Sequence, residues 1–297
     1  MLKLNRMRNS YLGVSFTLLS ALIYAFQAAL IKKFNIGLSV PVIVFSQSLV
    51  ALILILPIIL YKKHQWQVNL LKTQVPWQHL ARTIFSLGIS YFLFIAIMHV
   101  PLVDGVLLAN TAPFFVPFIL FIFMRQKFQH ALWLPLIIGF VGVMMILKPD
   151  AKIMNPYAIV ALGAGLSMAL SIIMVRKISS YDNGLTTVFY YFLFSSIIAG
   201  VVSIPFWQEI WLYALLILVA IGVLFFFVQY LLVLALGYIQ VQSFSVLYYA
   251  NVIFAAVIGV FFFADRYDWL TLAGIVLTIM SAIVIIQLQA QRQKVIS

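Results

Sequence analysis

The chain has 297 residues, of which 65% are hydrophobic and 8% charged, with a mean hydropathy of +1.16. Soluble domains carry about 25% charged residues, so this composition excludes a soluble enzyme or binding domain and predicts an all-α polytopic membrane protein. With no cysteine there are no disulfides or thiolate metal sites, and the net charge of +12 is scattered through short loops, unlike a nucleic-acid-binding face.

Lys3, Arg6 and Arg8 precede the first apolar run, 11–31. At about 21 residues it is too long for a signal-peptide core and reads as a retained helix. Further runs follow at 40–61, 79–99, 101–124, 131–148, 156–175, 184–205, 211–236, 240–263 and 269–288. Each approaches the ~17–25 residues that a spanning helix needs, giving ten predicted spans. The turns His99–Pro101 and Gly237–Gln240 are short enough to force antiparallel hairpins of helices 3/4 and 8/9. When ten spans are threaded, all of the 18 Lys and Arg except Lys32, Lys33, Lys148, Lys152 and Arg266 fall on the side of the N-terminus. The positive-inside rule then places both termini in the cytoplasm, in the inner membrane.

The two halves repeat. Tyr91–Gln126 lies over Tyr230–Asp265 without a gap, pairing Tyr91 with Tyr230, Ala96 with Ala235, Leu108 with Leu247 and Phe115 with Phe254. Ser20–Lys33 likewise lies over Ala164–Lys177, each segment ending in two basic residues. The repeat unit is five helices, 1–150 and 151–297, and an odd number makes the second unit enter the membrane from the opposite face. Inverted repeats of this kind are typical of alternating-access carriers with a site near the midplane.

The run YFLFIAIMHVPLVDGVLLANTAPFFVPFILFIF (Tyr91–Phe123), followed by GFVGVMMILKPD (Gly139–Asp150), resembles the EamA type of the drug/metabolite transporter superfamily. The ten spans and the inverted halves extend the resemblance over essentially the whole chain. It implies a small-molecule carrier with a central cavity lined by helices 1, 3, 4, 6, 8 and 9. Cargoes in that family range over amino acids, sugars, nucleotide derivatives, cofactors and drugs. Asp265 and Gly274 stand at family positions. Where relatives often carry Glu after helices 4 and 9 this chain has Gln126 and Asp265, and Gln47 replaces an Arg often found in helix 2.

Helix 4 carries polar and helix-breaking residues deep in an apolar run. At 1.5 Å per residue, Asn110 lies about 13 Å in from Pro101, near the middle of a ~30 Å hydrocarbon core. Lipid supplies no partner for an amide or for the carbonyl that a proline frees. Asn110, Pro113 and Pro117, which share one face, are therefore expected to look onto other helices or a watery cavity. Tyr248 and Asn251 sit at matching depth in helix 9, Tyr91 is halfway along helix 3, and Tyr24 and Gln27 are one turn apart in helix 1. Ser167 and Ser171 add hydroxyls from helix 6. Together they predict a neutral, aromatic-walled cavity for an amphipathic, zwitterionic or aromatic small molecule. Taken singly, a Tyr or Ser in a membrane helix more often serves as packing or helix–helix glue, whereas an Asn at mid-depth is harder to satisfy in that way.

Of the 6 acidic residues, Asp104 alone falls inside a run, close to His99 across the turn. The pair would serve as a proton sensor coupling transport, or Asp104 would be an acid favoured at a helix start. Pro113 and Pro117 are expected to act in gating, and Arg82, at the cytoplasmic end of helix 3, to snorkel to headgroups or guard the cavity mouth. His64, His79 and His130 are expected in cytoplasmic loops without metal-ligand spacing, so no enzyme activity, metal or cofactor is predicted. The expected partners are a small-molecule substrate and membrane lipids, for a monomer or homodimer. Export of an amino-acid-like or drug-like compound is the first reading of function. Uptake or exchange of a nucleoside- or cofactor-like metabolite such as S-adenosylmethionine is the second, and a lipid-linked-substrate flippase the third.

Overall fold

A computed structural model describes residues 2–34, 37–66, 72–112, 114–115, 119, 131, 133–147, 156–178, 180–238, 247–248 and 250–296. The helices are α1 (Leu2–Lys33), α2 (Val40–Trp66), α3 (Pro76–Ile97), α4 (Leu102–Ala109), α5 (Trp133–Leu147), α6 (Pro156–Ile178), α7 (Gly184–Ser203), α8 (Leu212–Tyr238), α9 (Ala250–Phe263) and α10 (Trp269–Ile296). Their starts follow local chemistry. Pro76 opens α3 at a position where its missing N–H costs nothing, and Asn183 caps α7 by accepting the Thr186 N–H at 2.9 Å. The helices α1, α2 and α10 run past their apolar segments into charged turns, because the backbone stays helical where the chain leaves lipid.

Among the described residues, six helices are long and apolar enough to cross a bilayer: Tyr11–Lys33, Val40–Tyr61, Pro76–Ile97, Pro156–Val175, Gly184–Phe206 and Leu212–Ala235. Ala250–Phe263 and Trp269–Ser281 are shorter apolar helices. The run 101–124 does not form one uninterrupted helix. After Ala109, Asn110 donates from Nδ2 to the Val106 carbonyl at 2.7 Å and Thr111 from Oγ1 to the Leu108 carbonyl at 2.6 Å, closing the last turn of α4. This all-α polytopic bundle presents large apolar side chains outward, among them Ile53, Leu60, Ile84, Val201 and Leu216, as lipid-facing helices do.

Packing runs between the halves of the chain more than within them. The helix α1 lies against α8 and α9, α2 against α7 and α8, α3 against α6 and α7, α4 against α6 and α9, and α5 against α10. Advancing every helix by five positions turns this set of pairs into itself. The central core takes Ala25 and Ala28 from α1, Leu93 and Ile97 from α3, Val106 from α4, Ile217 from α8, and Val252 and Ala255 from α9. The small side chains on α1 let the backbones approach, which is how helices associate where lipid removes the hydrophobic drive. The pair α5/α10 is equally close, because a Cβ on Gly142 would stand 2.9 Å from the Gly274 carbonyl oxygen.

Candidate transport site

The centre of the bundle collects the polar side chains of α1, α3 and α9. Tyr24 faces Tyr248 with ring centroids 6.2 Å apart, and both pack beside Ala21 and Ala235. Tyr24 and Tyr91 also pack against the central core, to which Val252, the residue after Asn251, belongs. Gln27 donates from Nε2 to Gln47 Oε1 at 2.9 Å, which joins α1 to α2 through the position where relatives often carry an Arg.

Several of these groups are buried without a partner. Gln27 Oε1, the Tyr91 hydroxyl and both amide atoms of Asn251 have no hydrogen-bond partner among the described residues, and Asn251 is 0% exposed. Each such group costs about 1–3 kcal/mol when it is left unpaired in an apolar interior.

Other expected site residues have structural partners. Ser171 Oγ lies 2.7 Å from Ser86 Oγ and ties α6 to α3, and the Asn110 amide is engaged with its own helix. The contacts of His99 and Asp104 go to different neighbours. His99 stacks on Tyr157 at 3.6 Å between centroids, with Nδ1 3.0 Å from the Ile95 carbonyl. Asp104 lies within electrostatic reach of Lys32 and Tyr267. Pro113 and Pro117 lie outside the described residues.

Both ends of the bundle are tied by ionic clusters. At one end Lys32 Nζ is 3.9 Å from Asp265 Oδ2 and donates to the Val100 carbonyl at 3.0 Å, while the Leu102 N–H donates to Asp265 at 3.2 Å. This joins α1, the α3/α4 turn and the α9/α10 turn. At the other end His79, in the first turn of α3 rather than in a loop, is 0% exposed. Asp182 is an acceptor only, so His79 donates to it from Nε2 at 2.8 Å, and Thr73 donates to the same carboxylate. Burial pushes the Asp182 carboxyl up, but the hydrogen bonds from Thr73, His79 and the Gln74 amide outweigh it and hold it below the ordinary carboxylate range.

Arg82 corrects the sequence reading most. It is 3% exposed and does not reach toward headgroups. Its Nη1 donates to the Thr187 carbonyl at 2.8 Å and its guanidinium lies 4.7 Å from the centre of the Tyr191 ring. The signal was present in the spacing: His79, Arg82, Ser86 and Ser90 recur along one face of α3, a polar stripe inside an apolar helix.

Comparison with known proteins agrees with this architecture. The profile of the EamA-like transporter family matches twice, over residues 11–148 and 155–287. The pseudopaline exporter CntI of Pseudomonas aeruginosa is 29% identical over 277 residues, covering 91% of this chain and 94% of that one. The S-adenosylmethionine uptake transporter of Rickettsia bellii is 25% identical over 280 residues, covering 93% of each chain. The riboflavin transporter of Vibrio cholerae is 31% identical over 173 residues, covering 58% of this chain and 57% of its own. A solved crystal structure superposes with a TM-score of 0.66 at 16% identity, over 97% of this chain and 99% of that one, and so shares the fold. With two family matches spanning nearly the full length, the chain belongs to the EamA-like transporter family and is a multi-pass membrane transporter of small metabolites with an alternating-access architecture.

Proposed function

We propose that this chain is a carrier for a cofactor-like or nucleoside-like metabolite, one with a flat heteroaromatic part and polar edges, working by uptake or exchange across the cytoplasmic membrane. The observation that carries the reading is the central cluster of buried, unpartnered polar atoms on Gln27, Tyr91 and Asn251 beside the Tyr24–Tyr248 ring pair. A cargo that satisfies those atoms recovers the cost of burying them, and the rings supply stacking surface. The relatives support this second reading from sequence more than the first, since S-adenosylmethionine and riboflavin transporters recur among them. One observation favours export instead, the similarity to the pseudopaline exporter.

The moving parts in this reading are two inverted five-helix units, 1–150 and 151–297, crossing the membrane ten times with both termini cytoplasmic. The five-position symmetry of the helix pairs and the double family match support it. The Lys32–Asp265 cluster closes one end of the cavity and opens when the halves rock, while Asn110 ends a helix at mid-depth, where a carrier needs backbone that bends. Thermal unfolding of the purified protein against nucleosides, flavins, S-adenosylmethionine and amino acids tests the cargo. Ligand at 100 times its Kd stabilises by about 2.7 kcal/mol, and the shift should fall to about half or less in Asn251→Ala. Stabilisation by amino acids alone would reverse the order of the two cargo readings.

A further inference from the structure

Arg82 carries its charge into the bundle and meets no anion among the described residues. Ion pairs among the described residues are Lys32–Asp265 and His79–Asp182, and neither includes it. A guanidinium offers five N–H donors in a fixed fork. Here Nη1 serves the Thr187 carbonyl, the π-face of Tyr191 covers the plane, and Nε is buried without a partner. The carboxylate at this end, Asp182, is already committed to His79, Thr73 and the Gln74 N–H. Arg82 lies about 9 Å along α3 from Pro76, and at 3% exposed it is the opposite of a snorkelling side chain.

Ser86 and Ser90 follow Arg82 on the same face of α3 and lead to Tyr91. Tyr191, the ring against the guanidinium, is within electrostatic range of Tyr24. We propose that Arg82, oriented by Thr187 and Tyr191, is an oxyanion-binding subsite at one end of the cavity, taking the carboxylate of a zwitterionic cargo whose ring lies against Tyr24 and Tyr248. A planar fork with free donors matches a carboxylate in a way that a lysine would not. The cargo half of this statement rests on the proposed carrier function; the oxyanion half does not. The competing use is a clamp holding α3 to α7 through Thr187, and it needs no anion.

The test is thermal unfolding of the detergent-purified full chain with sodium acetate or inorganic phosphate, against sodium chloride at matched ionic strength. Wild type should show a saturable rise with millimolar half-saturation, and Arg82→Gln should show none. Arg82→Lys, which keeps the charge and loses the fork, should need about tenfold more acetate, and it decides the matter if Arg82→Gln does not fold. No rise in wild type, or the same half-saturation in either variant, overturns the subsite. A rise produced by phosphatidylglycerol micelles and by neither small anion assigns Arg82 to a lipid headgroup and also overturns it. For the cargo, wild type should bind S-adenosylmethionine at least tenfold more tightly than its decarboxylated analogue, and riboflavin, which lacks a carboxylate, should bind wild type and Arg82→Gln alike. Equal binding of the matched pair by wild type removes the zwitterionic cargo. Failure to bind any of the three organic ligands removes the carrier reading, while the acetate response still decides the oxyanion subsite.

Discussion

Replacing Asn251 by leucine should make the protein more stable and a poorer transporter. Asn251 is 0% exposed and neither Oδ1 nor Nδ2 has a partner among the described residues. Each unsatisfied buried group costs about 1–3 kcal/mol, and an apolar side chain of similar volume removes both, so the ligand-free protein gains about 2–6 kcal/mol. At roughly 2–4 °C per kcal/mol for a chain of this size, the unfolding midpoint should rise by about 5 °C or more. If the amide meets cargo, the substitution also removes about two hydrogen bonds net worth ~1 kcal/mol each, which raises KM by roughly 10- to 100-fold. Unfolding scans and initial uptake rates on the same preparation measure both effects. A lowered midpoint with unchanged KM would show that Asn251 is an ordinary structural amide and refute the reasoning.

Three further outcomes follow from other parts of the bundle. Asp265→Asn should weaken the cluster with Lys32, Leu102 and Tyr267 by about 1 kcal/mol, a roughly fivefold shift toward the open end. Because the chain has no cysteine, the labelling rate of a single Ser90→Cys by an impermeant thiol reagent reads that shift directly. Asp182 has a carboxyl held low in the folded protein, so its contribution to stability is complete above the ordinary carboxylate pKa, about 3.9, and is lost as pH falls through the lower folded value. Asp182→Asn should therefore cost about 2 kcal/mol at neutral pH and flatten the acid limb of a stability–pH curve. Gly142→Val should force α5 from α10 at the Gly274 carbonyl, costing about 1–3 kcal/mol in unfolding scans without changing ligand Kd.

The helices were legible in the sequence because lipid makes hydropathy a strong signal. Six of the ten apolar runs carry helices long and apolar enough to cross a bilayer, and the run 184–205 begins directly after its capping Asn183. The chain interruption at Asn110 was legible as a chemical difficulty, an amide at mid-depth, but not as a helix end, since that depends on the Asn110 side chain turning back to Val106. Tyr24, Gln27, Tyr91, Tyr248 and Asn251 are all brought to the interior. Ser171 and His99 instead found partners, Ser86 and Tyr157, that lie far away in sequence. Arg82 and His79 were misplaced for the same reason. Periodicity shows which face a residue occupies, whereas Asp182 and Tyr191 become their neighbours only when α3 packs against α7.

The most direct test of the central claim is uptake of radiolabelled S-adenosylmethionine and riboflavin into proteoliposomes containing the purified chain, with and without unlabelled substrate inside. A carrier whose central polar cluster binds such a metabolite should give saturable uptake that internal substrate accelerates, and Asn251→Leu should raise the concentration for half-maximal rate. Uptake equal to that of protein-free liposomes for both compounds, or a flux that does not saturate, would contradict it.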